Sequence, residues 1–514
     1  MIVSKRYISD TSFYKKVLAI SLPIMIQSGI TSFVSMLDNL MIGTLGTEAM
    51  TGVSITNQLI MIFNLVIFGA GSAGSIFVSQ YYGARDNEGI RYTFRIKAYM
   101  NIAIAAITAV LLILFGDAAI SAFLTSDGGE GDIALTFEYG REYLNIVLFG
   151  LFPFAISQVY STTLRETEDT RIPMYSGFIA LAVNTVLNLV LIYGLAGFPA
   201  LGVKGAAIAT VIARISEMLY LIVITHTRGA KYIFIRGVYS SVRVPLRLVK
   251  DVLIKGSPLL INELIWSLSM AAKNLCLSKS GIDAVAAVNI QSTLYNVLSV
   301  VYCALAASIA IIVGGMLGAD EIDEAKRASK RLLIFSTLAG AVMGALQLGA
   351  APLFPLLYNT GEGVRTLATY MMAFSAISAP TGALAIAAMY TVRAGGRTVE
   401  VLLFDCVHTL FITAGSAFVF TFIFPVEIYS LFAIVTLADA TKCLIGVLLV
   451  ACRCDQMSDR SSAGQEDRLG EKHNQGSKLV SRSRKLMRYV AIKAQSNIPN
   501  SANICDCKRK DLWL

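Results

Sequence analysis

Residues 16–41 read KVLAISLPIMIQSGITSFVSMLDNLM, a largely apolar run that holds one internal proline, Pro23, and one acid, Asp38. An α-helix rises about 1.5 Å per residue, so about 20 such residues cross a hydrocarbon core about 30 Å thick. This run is long enough to span. Eleven more follow, placing spans at 16–41, 54–80, 94–115, 141–163, 173–196, 203–225, 256–278, 289–316, 329–350, 366–392, 400–424 and 427–451. Scattered apolar residues can build a large soluble core, but a dozen continuous runs call for lipid. Composition agrees: 55% of the 514 residues are apolar and 15% charged, against roughly 25% charged in a soluble domain. Several spans carry a proline (Pro23, Pro153, Pro380), which a membrane helix tolerates because its neighbours re-satisfy the freed carbonyl. The polar stretch Lys5 to Lys16 precedes a run too long for a signal-peptide core, so no cleavable leader is expected.

The net charge of +9 invites a nucleic-acid reading, but the basic residues sit in short loops and in the tail. Loops after even-numbered spans carry Arg85 and Arg91, Arg165 and Arg171, then Lys326, Arg327, Lys330 and Arg331, and Arg393 and Arg397. The long middle loop adds Arg228, Lys231, Arg236, Arg243, Arg247 and Lys250, whereas an odd loop holds Asp127, Glu130, Asp132 and Glu138. The positive-inside rule then puts both termini in the cytoplasm of a plasma-membrane protein, with no nucleic-acid partner. Cys276, Cys303, Cys406 and Cys443 lie inside spans, and the other four lie at or after the last, so no extracellular disulfide framework is expected. From residue 453 the chain turns basic and polar. That composition reads as a solvated cytoplasmic tail, with 478–495 able to form a basic amphipathic helix.

A shift of 235 residues lays the first half on the second. Pro23 falls on Pro258, Gly46 on Gly281, Ala49 on Ala284, and Gly83-Ala84 on Gly318-Ala319. After seven residues are dropped, Arg165 falls on Arg393 and Thr170 on Thr398. Chance apolar matching does not place a proline, two glycines, a loop arginine and a threonine in register. Six spans per half is an even number, so both halves enter the membrane the same way. The expectation is an all-α integral membrane protein of twelve transmembrane helices in two six-helix lobes, related by a parallel pseudo-two-fold repeat. The N-lobe takes 1–225, a basic linker 226–255, the C-lobe 256–452 and the tail 453–514.

Particular motifs then narrow the reading. The first span ends Leu37-Asp38-Asn39-Leu40-Met41-Ile42-Gly43-Thr44-Leu45-Gly46. The fourth ends Leu164-Arg165, followed by Asp169-Thr170-Arg171-Ile172-Pro173-Met174. The fifth carries Asn184 to Asn188, and after it comes Pro199-Ala200-Leu201-Gly202-Val203-Lys204-Gly205-Ala206-Ala207-Ile208-Ala209-Thr210. Over residues 12–452 the chain resembles the multidrug and toxic compound extrusion (MATE) transporters, of the bacterial or archaeal NorM- and DinF-like kind. The resemblance implies export of cationic or amphipathic compounds in exchange for Na+ or H+. It places Asp38, Asn184, Asn188 and Thr210 at an N-lobe cation or substrate site. One bacterial branch has an Asp where this chain has Asn188, so the site here carries one negative charge fewer. Glu263 matches an acid that the NorM-like branch uses for its cation. That branch pairs it with a carboxylate in the tenth span, and none lies between Arg365 and Arg393.

The residue types support the same chemistry. A charge at the centre of a spanning helix costs at least about 2.5–3.5 kcal/mol, so Asp38 should face the interior of the bundle. An interior carboxylate that takes up and releases a proton, or trades it for Na+, is what an antiporter needs. Without such a role, Asp38 orders a helix end near the outer interface. Asn184 and Asn188, four apart on one helix face, offer carbonyl oxygens to a cation or act as interhelical glue. Glu263 near the inner interface is otherwise a solvated side chain. Lys273 falls on Asp38 under the 235-residue shift, so it either meets Asp38 in one state of the cycle or extends to an interface. Asp439 and Lys442, three apart, are expected to neutralise each other, and His408 to be packed and hydrogen-bonded.

Other motifs fall away. Gly69-Ala-Gly71-Ser-Ala-Gly74 spells a dinucleotide fingerprint but lies inside a span, where it reads as close helix packing, as does Gly314 with Gly318. No phosphate-binding Walker sequence, zinc-protease motif or nucleophile elbow occurs. Cys452-Arg-Cys454 and Cys505-Asp-Cys507 lack a standard zinc spacing. The expected protein is therefore not an enzyme and needs no cofactor beyond its coupling ion. It acts on a small-molecule substrate in the lipid bilayer as a single chain. A flippase for a lipid-linked sugar is the first rival, and needs several cavity cations for a pyrophosphate. A membrane enzyme acting on lipids is the second, and the chain has three His in all.

Overall fold

The structure, a computed structural model, describes residues 11–124, 132–358 and 360–453. Twelve long helices account for nearly all of them. The first six are α1 Thr11–Gly43, α2 Thr47–Gly83, α3 Asn87–Phe123, α4 Ile133–Glu166, α5 Arg171–Tyr193 and α6 Gly202–Thr227. Then follow α7 Leu246–Ser278, α8 Ile282–Gly318, α9 Ile322–Ala350, α10 Glu362–Ala394, α11 Thr398–Ile423 and α12 Ile428–Val450. Eleven are long and apolar enough to cross a membrane. The remaining one, α7, is 33 residues long but carries Asn262, Glu263 and Lys273 within its span. The expected tail beyond Arg453, with its cysteines, lies outside the described residues.

Lipid accounts for the surface. Ile334, Leu338, Val342 and Leu346 recur every fourth residue along α9, so they share one face, and each is more than half exposed. A soluble protein buries such a stripe; here hydrocarbon covers it. Proline shapes one helix visibly. In α4 a 3₁₀ turn at Leu148–Gly150 lies one turn before Pro153, whose missing N–H cannot bond the carbonyl four residues back.

The repeat is present in backbone detail. Pro23 and Pro258 lie inside α1 and α7. α2 and α8 are both 37 residues long, and each is preceded by a glycine at positive φ, Gly46 at 124° and Gly281 at 107°. The turns that follow also correspond. Arg85 at φ 56° falls on Asp320 at φ 63°, and Glu168 at φ 63° falls on Gly396 at φ 74°.

The lobes meet at the end where α2 and α8 finish. There α2 packs against α7 and α8, and α1 against α8. A Cβ at Gly83 would lie 1.8 Å from the Gly315 carbonyl oxygen, and one at Gly318 1.9 Å from that of Gln80. Only glycine lets these two backbones touch. A core of Phe13, Val17, Ile20, Ile309, Ile312 and Leu332 seals the same junction.

The stretch read as a linker is an ordered structure on the N-lobe. α7 already begins at Leu246. Before it, Tyr232, Phe234, Ile235 and Val238 are buried against α3, α4 and α6. Arg95 on α3 holds the segment, donating to the carbonyls of Val238 (2.7 Å), Gly237 (2.9 Å) and Arg243 (3.1 Å). Asp169, in the turn after α4, accepts hydrogen bonds from Lys231 and from Tyr232 Oη at 2.5 Å. Burial pulls the Asp169 carboxyl upward, but these two donors and the Lys231 charge outweigh it and hold it below its ordinary value.

Candidate functional site

In the N-lobe the expected residues come together. Asn188 Nδ2 donates to Asp38 Oδ1 at 2.6 Å and to Asn184 Oδ1 at 3.2 Å. The four-residue spacing stacks the two amides on one face of α5, and α1 brings Asp38 to it. Asn184 and Asn188 are buried, and Asn188 Oδ1 has no hydrogen-bond partner. Asp38 is half-buried, facing an open cavity of ≈ 550 Å³ lined also by Asn57, Asn64, Asn184, Thr210 and Arg214. Thr210 donates to Ala206 O at 3.0 Å in its own helix, so its oxygen borders the cavity without touching Asp38. Arg214 is the cation within electrostatic reach of Asp38, and Glu217, also lining the cavity, holds Arg214 Nη1 at 3.4 Å. Asp38 itself is bonded to a neutral amide.

The C-lobe is arranged differently. Glu263 lies 3.9 Å from Arg393 Nη1, so its partner is a cation at the end of α10 rather than a second carboxylate. Lys273 is not brought to Asp38; the charge within its electrostatic reach is Asp439. Lys442 does not neutralise Asp439, as three-residue spacing suggested. It turns across to α11 and pairs with Asp405. Asp439 instead accepts from Thr413 Oγ1 at 3.2 Å. An interior α-helix presents its charges to whichever neighbour faces them, and here that neighbour outranks the next turn. His408 is buried and shares a 2.9 Å hydrogen bond with Thr441 Oγ1.

Sequence reading missed a buried ion pair. Lys97 on α3, 1% exposed, donates to Glu166 Oε2 at 2.9 Å and Oε1 at 3.2 Å. Gly74 makes room for it: a Cβ there would fall 2.4 Å from Lys97 Cγ. That glycine, one of the fingerprint-like set, was the available signal. Beside the pair lies a smaller space of ≈ 130 Å³, lined from both lobes by Ser75, Gln158, Arg165, Glu166, Tyr390 and Arg393. Arg165 and Arg393, matched by the repeat, thus face one space. Arg165 Nη2 also donates to Gln27 Oε1 at 2.6 Å.

Two repeated six-helix lobes, joined at one end and holding a polar cavity in the other half, define a two-lobed membrane transporter. The MatE family model matches residues 23–190 and again 258–419, beginning at the two prolines that the repeat superposes. The chain belongs to the MatE family. The Bacillus subtilis protein named probable multidrug resistance protein YoeA is 26% identical over 337 residues, 65% of this chain and 71% of its own length. The multidrug resistance protein NorM of Aliivibrio fischeri is 26% identical over 381 residues, 74% of this chain and 80% of its own. A MATE crystal structure described as the bent conformation superposes with a TM-score of 0.77 at 18% identity, over 87% of this chain and 97% of that one. A multidrug resistance MATE transporter described as outward-facing gives 0.73 at 19%, over 86% and 96%. These likenesses establish the fold read from the sequence, a MATE transporter.

Proposed function

We propose that this chain is a secondary antiporter that exports small cationic or amphipathic organic compounds in exchange for Na+ or H+ by alternating access. The observation that carries this is Asp38, an interior carboxylate bonded to a neutral amide at the edge of a ≈ 550 Å³ cavity. That volume suits a drug-sized molecule, whose pockets run about 300–1,000 Å³. The apolar walls of the cavity, Ile60, Phe63 and Phe154 among them, suit an amphipathic one. Asn184 and Thr210 supply neutral oxygens from which a cation shell can be completed. With the basic loops placed in the cytoplasm, the Gly83–Gly318 junction closes the inner side and the cavity faces outward. One charge moving down 100 mV releases about 2.3 kcal/mol, against about 1.4 kcal/mol for each tenfold ratio, so one coupled cation supports useful accumulation. The relatives' names as multidrug resistance proteins agree with this reading. A pyrophosphate-carrying flippase fits less well, because Arg214 is the one cation among the residues lining the cavity. We place the protein in the plasma membrane as a functional monomer. Ethidium efflux from vesicles of purified protein, with Na+ and H+ gradients imposed separately, tests the proposal. Acceleration by one gradient names the coupling ion; acceleration by neither removes the antiporter reading.

A further inference from the structure

The interior carboxylates of the C-lobe each have a cation of the chain's own beside them. Glu263 has Arg393 at 3.9 Å, Asp405 has Lys442, and Asp439 has Lys273 within electrostatic reach. In the N-lobe, Asp38 is bonded to the neutral amide of Asn188, and Arg214, the cation within its electrostatic reach, is itself held by Glu217. The middle C-lobe pair is the most enclosed. Asp405 is 3% exposed, and its second oxygen accepts from Asn262 Nδ2 at 2.8 Å. Lys442 Nζ lies between Asp405 Oδ1 and Thr409 Oγ1, the latter at 3.4 Å, with the Phe404 ring centroid at 5.8 Å.

Residues 403–414 of α11 are wound as a π-helix. Its wider turn, closed by i→i+5 bonds, keeps residues four apart close to one face, and such windings concentrate at functional sites. Asp405 and Thr409 therefore point together at Lys442, and Thr413 at Asp439. A carboxylate and a hydroxyl are oxygen ligands that a small hard cation takes, with water completing its shell. An ammonium competes for the same set, because its donors need the same acceptors.

We propose that the Lys442 ammonium is a tethered cation, filling the C-lobe position that an exchangeable Na+ would otherwise occupy. The C-lobe then carries fixed, internally neutralised charge through the cycle, and ion exchange falls to Asp38. That last consequence rests on the antiporter reading; the occupancy of the site does not. Lys442→Ala removes the tether and leaves Asp405 Oδ1 and Thr409 Oγ1 at a vacated space. Radioactive-sodium binding to the purified full-length protein reads the outcome. The Lys442→Ala protein should bind one Na+ more than the parent, and the Asp405→Asn/Lys442→Ala protein, which keeps neither charge, should bind no more than the parent. If Lys442→Ala does not fold, Asp38→Asn provides the second measurement: with Lys442 intact it should bind no Na+. No gain in a folded Lys442→Ala protein overturns the proposal, and so does Na+ retained by Asp38→Asn that disappears when Asp405→Asn is added. Failure of ethidium efflux under both gradients would instead remove the antiporter reading and leave these binding results standing.

Discussion

At the scale of single residues, Asp38 is handled differently from the carboxylates of the C-lobe. Asp38 sits at a cavity bonded to a neutral amide, and the cation within its electrostatic reach, Arg214, is already held by Glu217, which leaves room for a mobile cation in the balance. Asp38→Asn keeps the shape and removes the charge. It should abolish gradient-driven efflux while leaving expression and some drug binding. Glu263→Gln should do less, because Arg393 already neutralises Glu263. Normal efflux by Asp38→Asn together with loss in Glu263→Gln would move the coupling site to the C-lobe. Lys97 makes a different case. Removing one partner of a buried ion pair leaves the other uncompensated, which costs about 3–5 kcal/mol. Lys97→Met should lower the unfolding temperature of the detergent-solubilised protein markedly, and Lys97→Met/Glu166→Gln should recover most of the loss. A single variant as stable as the parent would show that Glu166 is neutralised by another route.

Helices bring these residues together only through their ends and their windings. The α2–α8 junction depends on glycines whose missing side chains let backbone meet backbone. At Gly318 even a methyl group would sit 1.9 Å from the Gln80 carbonyl oxygen, far inside van der Waals contact. Gly318→Val should therefore hold the two helix ends apart and slow efflux. Spin labels at Asp86 and Asp320, in the turns that follow α2 and α8, should report a longer distance in this variant than in the parent. An unchanged distance with normal transport would mean that the junction is not part of the gate. In α11 the winding matters for another reason. Asp405, Thr409 and Thr413, four apart along the π-wound stretch, all meet α12.

For the whole molecule, the even count of spans per lobe and the distribution of basic loops combine into one topology. Cysteine labelling of intact cells should find 226–250 and the tail inside, and 116–140 outside. Labelling of both long loops from the same side would break the span count and the parallel repeat with it. The packed segment 232–238 also bears on the experiment: Phe234 and Ile235 are buried, so label should enter at exposed Ser240 and Ser241.

The sequence by itself determined the spans, their repeat and the family, because lipid imposes its demand locally. A run of apolar residues must cross the bilayer wherever it sits in the fold, and Pro23 with Pro258 or Gly46 with Gly281 carry the repeat in residue types with fixed backbone meaning. It also singled out Asp38, Asn184 and Asn188, since polar groups inside such runs are few and their four-residue spacing shows which share a face. Pairing across helices was not legible in this way. Whether Lys442 meets Asp439 one turn away or Asp405 on another helix depends on the rotation of α12 against α11 and on the π-winding, neither of which a linear pattern records. Lys97, near the start of the third expected span, is not singled out by the linear pattern. Only the tertiary structure, which sets Gly74 against its methylene chain and Glu166 at its tip, made it a buried charge.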